Sequence, residues 1–218
     1  MIIAAPGPSS RLYAPVARLI GEMFPDLGRE HSRALWHRST EHTIVLCRGF
    51  DVPKLVAAGI ADLGICGYDV CVEWSLAQAQ SLSIWAMPPV RTSFVAFCTV
   101  NGRAVQTIWT EYPAITTAWL AVHPSLRTAR TATLHGATEG VIRADPHGGG
   151  VLLVTSGETL RANGLDHEMP LLATDVCVVA RSPDVGRCGQ LDVSTMPPLS
   201  LPSFSGSAML AADRPARC

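Results

Sequence analysis

The stretch Val151-Leu-Leu-Val-Thr-Ser-Gly-Glu-Thr-Leu-Arg-Ala-Asn-Gly-Leu165 runs from an apolar segment through a small polar loop into a helical pattern. Val151–Val154 reads as a short buried strand. Thr155–Thr159 reads as a loop with one glycine, and Leu160–Asn163 opens a helix that Gly164 can cap. A strand feeding a helix in this way leaves backbone N–H groups unpaired at the helix start, where an anion can accept them. The hydroxyls of Thr155, Ser156 and Thr159 add donors, Glu158 lies among them, and Gly157 permits a turn with positive φ. The stretch reads as a phosphate cradle, although the same residues also suit an ordinary helix cap.

Outward from this loop, strands and helices alternate. Met1–Ala5, Glu41–Arg48, Asp62–Cys66, Ser83–Met87, Ser93–Val100 and Thr107–Trp109 read as strands, and Ala173–Arg181 as a final core strand. Leu12, Val16, Leu19, Ile20 and Met23 recur at helical spacing. Asp51 is placed to cap a helix with Pro53 in its first turn. Further helices are expected from Gly67 to Ala79 and from Thr116 to Val122. This order predicts an α/β fold with mostly parallel sheets, and Gly148–Gly150 is expected to form a pliable loop.

The chain has 218 residues, 48% hydrophobic and 16% charged, with a formal net charge of −1. That length can bury a substantial core, and the charge leaves no basic footprint for nucleic acid. No apolar run reaches the ~18 residues of a membrane span, and Met1-Ile-Ile-Ala-Ala-Pro lacks the form of a signal peptide. The seven cysteines (Cys47, Cys66, Cys71, Cys98, Cys177, Cys188 and Cys218) are scattered without a CxxC pair. They read as reduced, mostly buried thiols of a cytoplasmic protein. The histidines show no metal-ligand spacing, and no GxSxG elbow supports hydrolase chemistry.

Four segments together resemble the ATP phosphoribosyltransferase family, the enzymes that open histidine biosynthesis. Thr155–Leu165 resembles its phosphoribosyl-diphosphate loop. Asp51-Val-Pro-Lys-Leu-Val-Ala-Ala-Gly-Ile-Ala-Asp-Leu-Gly-Ile-Cys-Gly-Tyr-Asp-Val70 is similar to its "DVP…V..G.ADLGI.G.D" block. Thr110-Glu-Tyr-Pro-Ala-Ile-Thr116 resembles its "AT.YP.LT" segment, and Leu134-His-Gly-Ala-Thr-Glu139 its "L.GSVE" turn. The resemblance implies a two-lobed α/β fold like that of a type II periplasmic binding protein. Residues 1–88 and 178–218 would form lobe one, and residues 89–177 lobe two, which carries the phosphate loop 155–159. The length resembles the short form, which implies a homodimer and a separate regulatory subunit resembling histidyl-tRNA synthetase. The strands holding Trp85, Phe94 and Phe97 are candidates for the dimer contact.

The implied reaction joins N1 of the adenine of ATP to C1′ of phosphoribosyl diphosphate and expels pyrophosphate, with Mg²⁺ as cofactor. By the resemblance, Thr155, Ser156, Gly157, Glu158 and Thr159 hold the 5′-phosphate, and Glu139 meets the ribose or its metal. Arg11 lies near the diphosphate, Asp69 and Glu73 follow the Gly67 turn at the cleft edge as substrate-binding residues, and Trp109 is expected to shape the nucleotide side. Two positions depart from the family's "GLADAIVDLV.TG": its aspartates correspond to Gly148 and Leu152. The lysine of "LPKGRL" is also missing. Lost carboxylate contacts to a ribose diol, worth roughly 1.5–3 kcal/mol each, are expected to weaken binding by about one or two orders of magnitude. Asp145 and His147 are candidate substitutes, and Leu152→Asp is expected to restore affinity. Two readings stay open: a transferase, including a copy in purine-nucleoside antibiotic pathways of the pentostatin and coformycin type, or a non-catalytic sugar-phosphate or nucleotide binder.

Overall fold

The computed structural model describes residues 1–25, 34–90, 92–181, 187–188 and 191–204. The chain divides into two compact units: unit 1 is Met1–Arg91 with Asp175–Leu201, and Thr92–Thr174 belongs to unit 2. The Pro- and Ser-rich tail after residue 204 lies outside the described residues.

Unit 1 opens with β1 (Ile2–Pro6), α1 (Tyr13–Met23), β2 (Trp36–Arg38) and β3 (Thr43–Cys47). It continues through α2 (Val52–Ala57), β4 (Leu63–Gly67), α3 (Tyr68–Gln78) and β5 (Ser83–Ala86). Strands β1, β3 and β4 pair in parallel, as helix-connected strands do. Strand β4 is buried at every residue, because helices cover both faces. Ile3, Leu63 and Ile65 join the apolar cluster of α1 (Val16, Ile20), whereas Ala4 and Cys66 join that of α2 (Val52, Val56). A Cβ at Gly64 would lie 2.6 Å from Val52 and 2.8 Å from Val179, so only glycine lets α2 approach β4 this closely.

Unit 2 holds β6 (Ser93–Thr99), β7 (Thr107–Thr110), α4 (Pro113–Ala121), β8 (Arg130–Thr133), α5 (Thr138–Ala144), β9 (Gly148–Val154), α6 (Glu158–Ala162) and β10 (His167–Thr174). Its sheet runs β10-β6-β9-β7-β8. Strands β7, β8 and β9 are parallel, while β6 pairs antiparallel with both β9 and β10. Ala96, Cys98, Leu152 and Val154 pack on one face against Ile142 of α5 and Leu160 of α6.

After β10 the chain returns to unit 1 as β11 (Val176–Ala180), inserted antiparallel between β4 and β5. The short strands β12 (Arg187–Cys188) and β13 (Leu191–Asp192) form a ladder, and β14 (Pro198–Leu199) extends the unit 1 sheet beyond β5. Three expectations are corrected here. Six of the ten pairings in the two large sheets are antiparallel, so the sheets are mixed rather than mostly parallel. The run expected as one strand over Ala173–Arg181 is split at Asp175 between two sheets. Gly148–Gly150 is not a pliable loop but the start of β9, with all three glycines paired to β7 and Gly149 and Gly150 also to β6.

Asp175 explains the split. One carboxylate oxygen accepts the Val90 N–H at 3.0 Å and the Val176 N–H at 2.7 Å, and its carbonyl accepts the Tyr68 N–H at 3.0 Å. Asp175→Ala is expected to lower the unfolding free energy by about 2 kcal/mol or more, since two donors lose their acceptor. Asp175→Asn, which keeps an acceptor oxygen, loses less; urea denaturation of the three proteins measures the difference.

Candidate functional site

In unit 2 the parallel strands β7, β8 and β9 end at one edge of the sheet, the edge where open α/β sheets bind ligands. The three turns that leave it are Glu111–Tyr112, Leu134–Ala137 and Thr155–Gly157. They correspond to three of the quoted sequence blocks, which topology therefore gathers at one edge.

The last turn forms the expected loop. Gly157 sits at the N-cap of α6 with φ +71°, a region that side-chain-bearing residues rarely adopt. The first N–H groups of α6 have no partner within the helix; that of Glu158 makes a long contact, 3.4 Å, to Ser156 Oγ. Thr155 Oγ1 lies 2.9 Å from Ser93 Oγ, which fastens the loop to the start of β6. Thr155, Ser156, Glu158 and Thr159 are exposed, and α6 begins at Glu158, two residues earlier than expected.

The middle turn approaches α5 through Gly136 (φ +98°) and Ala137 (φ +55°), so the chain doubles back before Thr138. Glu139 is half-buried in the first turn of α5 rather than on a loop, a position that favours a carboxylate. Its charge reaches Cys98 on β6: burial, with the Glu168 and Glu139 carboxylates, pushes that thiol up to about 12. Thr138, where the family's quoted turn has valine, was not singled out from the sequence. Its Oγ1 is buried without a hydrogen-bond partner among the described residues, at the same edge as the loop.

The Thr110–Thr116 segment builds the first turn. Thr110 Oγ1 donates to the Val151 carbonyl at 2.7 Å and accepts the Tyr112 N–H at 2.8 Å and the Thr116 hydroxyl at 3.1 Å. Both threonines are fully buried, and Pro113 starts α4 where its missing N–H costs nothing.

Other expected residues fall elsewhere. Trp109 donates its indole N–H to Asp145 Oδ2 at 2.9 Å and packs beside the Ile142–Leu152 cluster. Asp145 lies at the amino end of β9, the opposite edge from the loop, so Trp109 does not face the expected nucleotide side. Asp145 is not a substitute for the replaced acids either. Its carboxylate accepts the His147 N–H and the Trp109 indole, which together hold its pKa below the ordinary value. Arg103, also not singled out from the sequence, donates to the carbonyls of Ile142, Asp145 and Gly148 and closes the end of α5. A Cβ at Gly148 would lie 2.8 Å from Asp145 Cβ, so this backbone excludes an aspartate there.

In unit 1, the turns after β1, β3 and β4 carry Arg11, Asp51 and Asp69 to that sheet's own carboxyl edge. Arg11 is exposed, while Asp69 and Glu73 are buried. The Asp69 carboxylate packs against the backbone of Gly67, in the space that a Cβ at this position would take. Asp51 occupies the N-cap of α2, but its carboxylate accepts Lys54 Nζ at 2.7 Å instead of capping the helix. The expected dimer aromatics are partly spent as well: Trp85 and Phe97 are core residues.

Three cysteines that look scattered along the chain meet in unit 1. Cys66 Sγ lies 3.4 Å from Cys71 Sγ, which lies 3.7 Å from Cys177 Sγ. The thiols of Cys177 and Cys66 draw Cys71 down to about 6.

The ATP phosphoribosyltransferase family model matches residues 48–190. The chain is 33% identical to the ATP phosphoribosyltransferase of Gluconobacter oxydans over 76% of this chain and 71% of that one. It is 31% identical to that of Deinococcus deserti over 71% and 74%. Among solved structures, the ATP phosphoribosyl transferase (HisG:HisZ) complex from Thermotoga maritima superposes with a TM-score of 0.70 at 24% identity, covering 83% of this chain and 87% of that chain. YhfZ from Shigella flexneri gives 0.52 at 16% identity, over 84% and 79%. The fold class is the expected one, α/β and two-lobed in the manner of type II periplasmic binding proteins. The chain belongs to the ATP phosphoribosyltransferase family, a family of transferases. No helix among the described residues is long and apolar enough to cross a membrane.

Leu152, where an acid is expected to strengthen binding, is a core residue of unit 2. Its side chain is 4% exposed and packs among Ala96, Cys98, Ile142 and Leu160. Leu152→Asp is expected to cost at least about 3 kcal/mol, from lost apolar burial and a carboxyl without partners. Thermal unfolding near neutral pH measures that loss, and unchanged stability would place residue 152 outside the cluster.

Proposed function

We propose that this chain transfers the 5-phosphoribosyl group of phosphoribosyl diphosphate to N1 of the adenine of ATP. N1 attacks C1′, the bond from C1′ to the diphosphate oxygen breaks, and pyrophosphate leaves with the bonding electrons. The gathering of three family turns at the carboxyl edge of β7, β8 and β9 carries this reading. Thr155–Thr159 takes the 5′-phosphate through α6 N–H groups and hydroxyls, and Glu139 and Thr138 meet the ribose. Arg11 meets the diphosphate; Asp69 and Glu73, expected to bind substrate, are buried in the first two turns of α3. Positioning and charge stabilisation, rather than covalent participation, are the protein's contribution. Mg²⁺ belongs to this reading as an ion carried by substrate phosphates, with Glu139 as the carboxylate left to meet it once positions 148 and 152 offer none.

The replaced acids favour a copy recruited to specialised purine-nucleoside metabolism over a housekeeping enzyme. They also favour the second reading, a sugar-phosphate binder without turnover. Incubation with ATP, phosphoribosyl diphosphate and Mg²⁺ separates the two: phosphoribosyl-ATP forms in the first case and not in the second. Gly157→Val forces a β-branched residue to positive φ and blocks the turn. It is expected to weaken binding of ribose 5-phosphate and of phosphoribosyl diphosphate alike by about 100-fold or more. Calorimetry on a variant that still binds ribose 5-phosphate normally would reduce the loop to a helix cap.

A cytoplasmic homodimer with a regulatory subunit of histidyl-tRNA-synthetase type completes the proposal. The HisG:HisZ complex of the Thermotoga maritima neighbour supports such a subunit. The self-contact is assigned to β2, the edge strand of the described unit 1 sheet, where Leu35 is 57% and Trp36 54% exposed. Trp36→Glu is expected to shift sedimentation at micromolar concentration from dimer to a 23.2 kDa species; a dimer that survives the change sits elsewhere.

A further inference from the structure

Cys66 is the fourth residue of β4, Cys71 lies on α3, and Cys177 is the second residue of β11. Cys66 and Cys177 face each other across the antiparallel β4–β11 pair, on the sheet face that α2 and α3 cover. Side chains at paired positions share a face, and α3 brings Cys71 over both. All three are fully buried, and their sulfurs lie within 4.8 Å of one another.

Buried cysteine usually behaves as a small apolar residue, and packing gives it no reason to seek other sulfurs. Here three separate elements deliver sulfur to one point, with separations of 3.4 and 3.7 Å. One ion at the ~2.3 Å of a metal–thiolate bond can reach sulfurs spaced in this way. An all-sulfur donor set selects soft ions such as Cu⁺ and Zn²⁺ over Mg²⁺ or Ca²⁺.

We propose that Cys66, Cys71 and Cys177 form a closed three-thiolate site for one soft, thiophilic metal ion, which staples the returning strand β11 to β4 and α3. Binding of the ion displaces thiol protons to bulk solvent; three thiolates complete the shell of Cu⁺, whereas Zn²⁺ takes one enclosed water as its fourth ligand, and full burial of the three sulfurs makes the site structural. It lies wholly within unit 1 and does not depend on the transferase reading.

The full chain, expressed with added Cu⁺-generating or Zn²⁺ salts and purified under reducing conditions, is analysed for metal per chain by elemental mass spectrometry. About one equivalent of either ion is expected, with Tm raised by about 5 °C or more over the chelator-treated protein. Cys71→Ala and Cys177→Ala, checked for folding by circular dichroism, each lower the metal content at least tenfold, whereas Cys98→Ala leaves it unchanged. A folded wild-type chain that takes up neither ion overturns the proposal, as does uptake retained in both variants. A Cys66–Cys71 disulfide found in the metal-supplemented wild-type chain also overturns it. Wild-type chain titrated with Cd²⁺ gives a readout independent of every variant: sulfur-to-metal charge-transfer absorption saturating at one equivalent is expected, and its absence counts against the site.

Discussion

A single carboxylate holds the two passages between the units. The chain leaves unit 1 just after Val90 and returns at Asp175, and Asp175 accepts the N–H of Val90 while fixing the start of β11 through Val176. Its carbonyl takes the N–H of Tyr68, the first residue of α3. The exit, the return and the turn after β4 are thus joined at one residue. Strand β11, buried along its whole length, depends on this anchor to enter between β4 and β5 in register. With the register set, odd and even residues divide between two apolar layers, Val176, Val178 and Ala180 toward α1, Cys177 and Val179 toward α2 and α3.

The apolar runs and helical spacings of the sequence locate β1, β3 to β7, α1 and α3 to within a few residues, because both kinds of element repeat every few positions. Strand direction is not local in that sense. From Leu171 to Ala180 the chain is apolar except at Thr174 and Asp175, and nothing in the period shows that the two halves join different sheets. The charge at Asp175 was the available signal. Gly148–Gly150 misled in the opposite way, since glycines suggest a loop. Their need is visible only from the neighbours: a Cβ at Gly149 would meet Phe97 and Val105, and one at Gly150 would collide with Ile142. Close packing of α5 and β6 against β9, not flexibility, calls for glycine here.

The site was legible in proportion to how local its chemistry is. The loop at Gly157 is a run of consecutive residues, and its positive φ and helix start follow from that run. Arg103 and Asp175 act through partners distant in sequence, so no motif marks them. The cysteine trio is the extreme case, since 106 residues separate Cys71 from Cys177. The scattered cysteines read as mostly buried thiols, but only the β4–β11 pairing places Cys66 and Cys177 side by side.

Gly148 and Leu152, at the positions of the family's acids, are both tied into the packing around β9. Leucine at 152 joins β9 to the layer under α5 and α6. Glycine at 148 leaves room for Asp145, whose carboxylate turns to Trp109 and to the His147 N–H, while Arg103 closes the three carbonyls beneath it. A carboxylate that gripped a ribose would have to stay solvated and unpaired until substrate arrived; these residues exchange that readiness for packing and internal hydrogen bonds. The Thr155–Thr159 loop stands apart from this packing: it offers backbone N–H groups and hydroxyls, and it is shaped by Gly157 and by the Thr155–Ser93 contact. Under the proposed function, the phosphate and the sugar are therefore held by separate parts of unit 2, and a change at positions 148 and 152 leaves the architecture that carries the loop intact.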